Sequence, residues 1–596
     1  MESASIKTEE KRPEGKSRRF KLQTDPMIFS VAMGFIILFV VVTLALGETA
    51  RDAYGEVADW VTTNLGWLFI GGVSLAFVFL IAVFVSRYGR LRLGDDDEEP
   101  EYSLVAWFGM LFAGGTGTVM MFWGVAEPLN HAFNPPFNSE PMSRTAQNEA
   151  MGVTLYHLGL HMWVIMVLPG LALGYFIYKR HLPPRVSSIF APLLGGNIYR
   201  WPGKLIDAIA IIGTVFGIAV SVGMGAMQIN SGAARVLGLP ENSMVQLLLI
   251  VAIIIVASIS VARGLDKGIK LLSNINIWAA VALMIFVLIM GPTLTLLRQV
   301  VDTAGVYLDM LPRLAFWTDS YDANPNWSQG AWTVFYWTWT ICWSPFVGMF
   351  IARISRGRTV REFIAGALCL PAIFSIIWYS VLGRAGFELE HQNPGILTEP
   401  VVVEGDPSPS LFILLEQFPM AGVVSAFALF VIMVFFVTSI DSAAMVTDMM
   451  STGEENKSPT IYRIMWGAMI GAVAGTVLVV SGQTALTALQ NTVIVIGVPF
   501  FFIELVMMYS LIKGMKDDHM AVRGPVTRQW TKTDTAEKLE INEAAPAPGF
   551  DENGNELPAL DYDYDDEGRL VIKSDVVIQG QVAQEPDDGS DTRNNN

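Results

Sequence analysis

The sequence predicts an all-α integral membrane protein of about twelve transmembrane helices, and three observations carry that expectation. Half of its residues, 52% of 596, are hydrophobic and only 16% are charged, which fits no set of soluble domains. Runs such as Met27–Leu46, Leu247–Val261 and Ala279–Met290 are apolar on every face, whereas a helix on a soluble surface keeps a polar stripe. Basic residues crowd the N-terminus and alternate loops, the pattern that orients membrane spans.

The first 26 residues are charged and lack a small-residue cleavage site, so the first apolar run reads as a retained span and residues 1–26 as a cytoplasmic segment. Spans follow near 27–48, 62–85, 104–129, 149–179, 204–235, 243–263, 271–297, 330–353, 361–385, 419–450, 460–481 and 486–513. Each is long enough to cross about 30 Å of hydrocarbon at roughly 1.5 Å per residue. Val300–Trp317 reads as an interfacial amphipathic helix, with Leu308, Leu311 and Phe316 as anchors.

Basic loops at Arg87/Arg90/Arg92, Lys179/Arg180/Arg185, Arg263/Lys267/Lys270 and Arg353/Arg356/Arg358/Arg361 place both termini in the cytoplasm and the chain in a plasma membrane, the inner membrane of a bacterium. Most of the net charge of -17 falls after Lys516. That acidic, Pro- and Ala-interrupted stretch, 515–596, has no apolar periodicity and reads as a disordered tail, in which Leu570–Ile578 is expected not to pair as a strand. Lys and Arg form no basic face, which excludes a nucleic-acid partner. Cys342 and Cys369, both in apolar segments, support neither a disulfide framework nor a zinc site.

Three segments carry chemistry. Phe112–Val119 places three glycines and two threonines at membrane depth, either for close helix packing or as a helix that unwinds and frees its carbonyls and amides. Trp332, Phe335, Tyr336, Trp339, Trp343 and Phe346 recur at intervals of three and four along one helical stripe. Such aromatics ordinarily pack; their depth and the expected helix break at Trp343-Ser-Pro-Phe346 favour a cage for a trimethylammonium group. Thr438, Ser439 and Asp441 share one turn, which favours an ion site or a buried polar network over hydroxyls bonded back to their own helix. Asp207 and Glu127, near span ends, read as structural.

No catalytic arrangement sits at a common depth, so the chain is not expected to be an enzyme. His157 and His161, four apart, read as a hydrogen-bonded pair lining a polar interior, with no third ligand near them.

These residues resemble the betaine/carnitine/choline transporters over roughly residues 60 to 515. The motifs that carry the resemblance are Gly203-Lys-Leu-Ile-Asp207, Gly213-Thr-Val-Phe-Gly217, Trp332-Thr-Val-Phe-Tyr-Trp337, the run Trp343–Arg358 and Thr438-Ser-Ile-Asp-Ser442. The chain is similar to actinobacterial importers of glycine betaine, ectoine or proline. The resemblance implies a leucine-transporter-type fold: two peripheral helices in 27–103, inverted five-helix repeats over 104–299 and 330–514, and an interfacial segment, 300–329, between them. It further implies a homotrimer in the lipid bilayer, alternating access, and sodium-coupled import of a small zwitterion against osmotic stress.

Carried over position by position, the resemblance assigns Trp163, Trp339, Trp343, Thr340, Phe346, Gly115, Thr116 and Gly117 to the solute. Leu158, Met166 and Thr340 stand where betaine importers place aromatic rings, which leaves betaine, ectoine, proline and sulfonium analogues open. One sodium ion is implied at Ala113, Thr116, Phe435, Thr438 and Ser439. A second position would use Thr214 and Phe346, but Ile218 stands where its further hydroxyl belongs. The osmosensing importer of the family has a basic tail; the acidic tail here, repelled by anionic head groups, implies a weakly regulated, constitutively active carrier. The alternative is a sodium-independent carnitine/choline-type exchanger, and after it a channel or sensor on the same scaffold.

Overall fold

The computed structural model describes residues 24–113, 117–262, 266–320, 324, 326–454, 459–521, 562–564 and 570–572. Up to residue 521 the described chain is helical: α1 (Pro26–Leu46), α2 (Glu48–Val85), α3 (Leu104–Ala113), α4 (Gly117–Phe133), α5 (Arg144–Leu158) and α6 (Leu160–Gly174) come first. A short α7 (Ala191–Leu194) precedes α8 (Trp201–Leu237), α9 (Ser243–Ala262), α10 (Asp266–Met290) and α11 (Thr293–Leu314). Then come α12 (Phe335–Ile354), α13 (Val360–Gln392), α14 (Ser410–Leu415), α15 (Ala421–Thr452), α16 (Thr460–Ser481) and α17 (Ala485–Ala521).

Among the described residues, nine helical stretches are long and apolar enough to cross a membrane, with Thr460–Lys516 counted as one; the pair Ile275–Met290 and Thr293–Leu314, bent by 117°, makes ten. The protein is an all-α integral membrane protein. Each span expected from the sequence coincides with a helix or with an interrupted helix pair.

Asp25 starts α1 by accepting hydrogen bonds from Met27 N and Ile28 N, and pairs with Lys204 of α8 at 3.0 Å. Burial pushes its carboxyl up, but Lys204 and the Ile28 amide outweigh that and hold it below its ordinary value. The loop expected before residue 62 is helical, because Gly47, in the left-handed region, turns the chain straight into α2. Tyr54 of that first stretch stacks on Phe39 at 5.4 Å and bonds Thr43.

The expected interfacial helix is longer than the sequence pattern showed. Pro292 and Gly291 bend the chain and α11 starts at Thr293, with Leu308 and Phe316 exposed and Leu311 half-buried. At the far end α17 continues through Ala521, beyond the expected boundary at 514. Asp518 explains the extension: it is buried, pairs with Arg180 and accepts from Tyr175 Oη.

A second unit begins at residue 528, with six described residues. Within it Tyr562–Tyr564 and Leu570–Ile572 pair as antiparallel β1 and β2. This corrects the expectation that the patch from Leu570 stays unpaired; a cross-strand partner rich in tyrosine lies just upstream. The expected disorder of the rest of the tail falls outside the described residues, as does the structure of residues 1–23.

Candidate functional site

The site region is built where α12 lies between α6 and α8. Gly348 of α12 comes so close to α6 that a Cβ there would stand 3.0 Å from Gly170 N. On the other side Gly217 of α8 faces the α12 backbone, its Cβ position 3.0 Å from Cys342 Cβ and 3.2 Å from Trp343 N. Small residues at these positions let the backbones approach, as membrane helix packing requires.

That approach turns the aromatic stripe of α12 inward. Trp339 and Trp343 are each 1% exposed and stack with centroids 5.9 Å apart and planes 15° apart. Phe335 stacks on Trp339 at 5.4 Å, and the Trp339 indole donates to Gly217 O at 3.0 Å. Among the described residues, the indole nitrogens of Trp343 and of Trp163, fully buried on α6, have no hydrogen-bond partner. Thr214, one helical turn from Gly217, is also buried, its hydroxyl unpartnered among the described residues. Ile218, Leu158, Met166 and Phe346 are buried. Thr340 donates to Tyr336 O, so its hydroxyl proton is committed to its own helix.

The expected break at Trp343-Ser-Pro-Phe346 is absent: α12 runs unbroken through Pro345. Pro345 lacks an N–H for Ile341 O, and Ser344 Oγ donates to that carbonyl at 2.9 Å in its place. The expected unwinding of the other segment, Phe112–Val119, falls outside the described residues, which stop at 113 and resume at 117. There Ala113 ends α3, Gly117 starts α4, and Gly115 and Thr116 lie outside the described residues. Gly117 packs on the ring of Phe435, with no room for a Cβ, so α4 starts against α15. On α15, Thr438 is buried and donates to Val434 O and Phe435 O, while Ser439 is half-buried. The structure thus brings Trp339 and Trp343 to Gly217, and Gly117 to Phe435. Among the described residues no ring contact joins Trp163 to either tryptophan of α12.

Several groups that pattern reasoning did not single out hold this region. Trp378 of α13 donates to Met120 O and Gln228 of α8 to Met121 O, fixing the first turns of α4. Trp123 of α4 packs edge-on against Trp332 at 5.6 Å and Tyr336 at 6.0 Å. Partners so far apart in sequence leave no local signal.

The reading of His157 and His161 as a bonded pair is corrected. His161 makes no hydrogen bond among the described residues; it stacks on Trp337 and lies tilted against Phe77. His157 joins Glu127 and His131 in a buried set whose ligand atoms lie within 4.8 Å. Donor chemistry makes this a hydrogen-bond network rather than a metal centre. Trp327 can only donate, so its 3.0 Å contact makes His131 Nδ1 an acceptor and leaves the proton on Nε2, facing Glu127. His157 Nδ1 lies 2.8 Å from Glu127 Oε1, its Nε2 lies 2.9 Å from Thr333 Oγ1, and Tyr336 donates to Glu127 Oε2 at 2.5 Å. Glu127 therefore ties α4, α5 and α12 together. Asp207 plays a similar part, accepting from Ser187 N and Ser187 Oγ at 2.8 Å each.

The chain is 60% identical over 561 residues to the ectoine/glycine betaine/proline transporter EctP of Corynebacterium glutamicum, covering 94% of this chain and 91% of that protein. It is 38% identical to a probable glycine betaine transporter of Desulfitobacterium hafniense, over 83% of this chain and 98% of the relative. It is 37% identical to the osmo-dependent choline transporter BetT2 of Acinetobacter baylyi, over 82% of this chain and 71% of the relative. The profile described as BCCT, betaine/carnitine/choline family transporter, matches residues 27–520. With that match over the whole helical body, the chain belongs to the betaine/carnitine/choline transporter family: it is a multi-pass membrane transporter and not an enzyme.

Proposed function

We propose that this protein imports ectoine, glycine betaine, proline or a related zwitterion for osmoprotection, driven by sodium and proceeding by alternating access. The observation that carries the reading is the 60% identity, over nearly all of the chain, to a carrier named for those solutes. The site chemistry supports it. Stacked, buried indoles present π faces suited to a quaternary or secondary ammonium group, and the N–H groups of Trp163 and Trp343, unpartnered among the described residues, suit its carboxylate.

Trp163, Trp339, Trp343 and Phe346 would enclose the solute, with Thr340, Gly115, Thr116 and Gly117 beside it. One sodium ion would be held by carbonyls of Ala113, Thr116 and Phe435 and by the hydroxyls of Thr438 and Ser439, oxygen donors that suit a hard monovalent cation. Thr214 and Phe346 lack the third partner of a second position, because Ile218 offers no oxygen. The carrier is proposed to work as a homotrimer in the bacterial plasma membrane with both termini cytoplasmic.

Radiotracer uptake into proteoliposomes, with and without an inward sodium gradient, tests the proposal. Uptake above equilibrium that needs the gradient is the expected result. Uptake indifferent to sodium but accelerated by internal solute would establish an exchanger instead, and flux without saturation a channel.

A further inference from the structure

Midway along α17, Glu504 places a carboxyl group among apolar helices. It is 5% exposed and makes no ion pair among the described residues. The cavity beside it is lined by Gly72, Val73 and Ala76 of α2 and by Ile165 and Leu168 of α6. On α12 the nearest ionisable side chain is Cys342, whose Sγ points to Val493 O at 3.9 Å. Nothing here compensates a negative charge, and an uncompensated charge at membrane depth is costly.

The single hydrogen-bond partner of this carboxyl among the described residues is Ser344, with Oγ 2.5 Å from Glu504 Oε1. Ser344 is fully buried, and the same Oγ lies 2.9 Å from Ile341 O, the carbonyl that Pro345 deprives of its backbone donor. A hydroxyl has one proton to give. If Glu504 were ionised, both of its neighbours would be acceptors competing for that proton, and either a buried carboxylate or a buried carbonyl would go without. A protonated Glu504 resolves the conflict: its O–H donates to Ser344 Oγ, and Ser344 donates onward to Ile341 O. Every acceptor in the chain is then matched by a donor.

We propose that Glu504 is a buried proton-binding site, a neutral carboxylic acid whose proton completes the relay Glu504–Ser344–Ile341 and so positions the turn of α12 that carries Trp343 and Phe346. Glu504 is a positioning residue, acting on the indole through the helix rather than touching the solute. The proton assignment stands whether or not the transport reading holds.

The experiment is infrared difference spectroscopy of the purified carrier in lipid, wild type minus Glu504→Gln, in H2O and in D2O. The expected result is a C=O stretch of a protonated carboxyl that shifts down in D2O; a difference made only of carboxylate bands overturns the proposal. Uptake kinetics test the positioning. The side-chain amide introduced by Glu504→Gln still donates to Ser344, so that variant keeps the wild-type KM, whereas Glu504→Leu, compared at equal folded yield, raises it about fivefold for loss of one buried hydrogen bond. Equal KM values for the two variants overturn the positioning role even if the proton is present.

Discussion

The indole N–H of Trp339 reaches across from α12 to the carbonyl of Gly217 on α8 at 3.0 Å, which fixes the ring whose face stacks on Trp343. Because Gly217 has no side chain, the two backbones sit close enough for that bond. Trp339→Phe keeps an aromatic face but loses the tether. KM for solute uptake is expected to rise about tenfold, from one hydrogen bond and one weakened ring stack, with less effect on maximal rate. An unchanged KM would place the solute elsewhere.

Trp343→Leu removes a π face and an indole N–H that has no partner among the described residues. Solute affinity, measured by tryptophan fluorescence or uptake, is expected to fall by about 30-fold if one desolvated cation–π contact is lost at about 2 kcal/mol. Sodium activation should be little affected, since Trp343 belongs to none of the proposed ion ligands.

Ser439→Ala is expected to shift half-saturation by sodium to higher concentration, by roughly tenfold for one oxygen ligand, while solute affinity at saturating sodium stays near wild type. Thr438 is the contrasting position, because its hydroxyl also bonds its own helix, so Thr438→Ala should loosen α15 as well. Sodium activation that is identical in Ser439→Ala and wild type would argue against this ion set.

Gly225 of α8 packs on the ring of Phe436, where a Cβ would stand 1.6 Å from Cζ. Gly225→Ala should therefore lower stability by about 1–3 kcal/mol through overpacking, read as a lower thermal midpoint of the purified carrier. Phe436→Leu in the same chain should recover part of the loss. Additive losses would mean that the two positions do not meet.

Asp25 supplies a pH test. Its carboxyl is held below its ordinary value of 3.8 in the folded chain, so its stabilisation is complete above that value and is lost as pH falls through the depressed one. At neutral pH Asp25→Ala is expected to lower stability by about 1 kcal/mol, the usual cost of an N-cap. The gap between variant and wild type should close at acid pH; a gap that persists unchanged would assign the loss to packing.

The helical architecture was legible because apolar runs of membrane length are a direct consequence of lipid as solvent. That the α12 aromatics form one stripe was legible from spacing, since residues three and four apart share a face; that the stripe turns inward was not. Helix interruptions were harder. Trp343-Ser-Pro-Phe346 carries a proline yet stays helical, because Ser344 supplies the donor that Pro345 removes. Gly159, with no proline near it, separates α5 from α6. The network around Glu127 joins His157, Tyr336 and Trp327, which lie on separate elements, and nothing local in sequence announces such a meeting. The pairing of Leu570–Ile572 was missed because a three-residue strand carries too little periodicity to stand out.

At Gly159 the helix is interrupted, and the amide of Leu160 bonds instead to Tyr307 Oη of α11 at 2.9 Å. Backbone bonds from Gly159 N to Leu155 O and from Trp163 N to Gly159 O carry the rest of the junction, so Tyr307→Phe would loosen it without severing it. Position 307 thus bears on how firmly the α5–α6 elbow is held against α11.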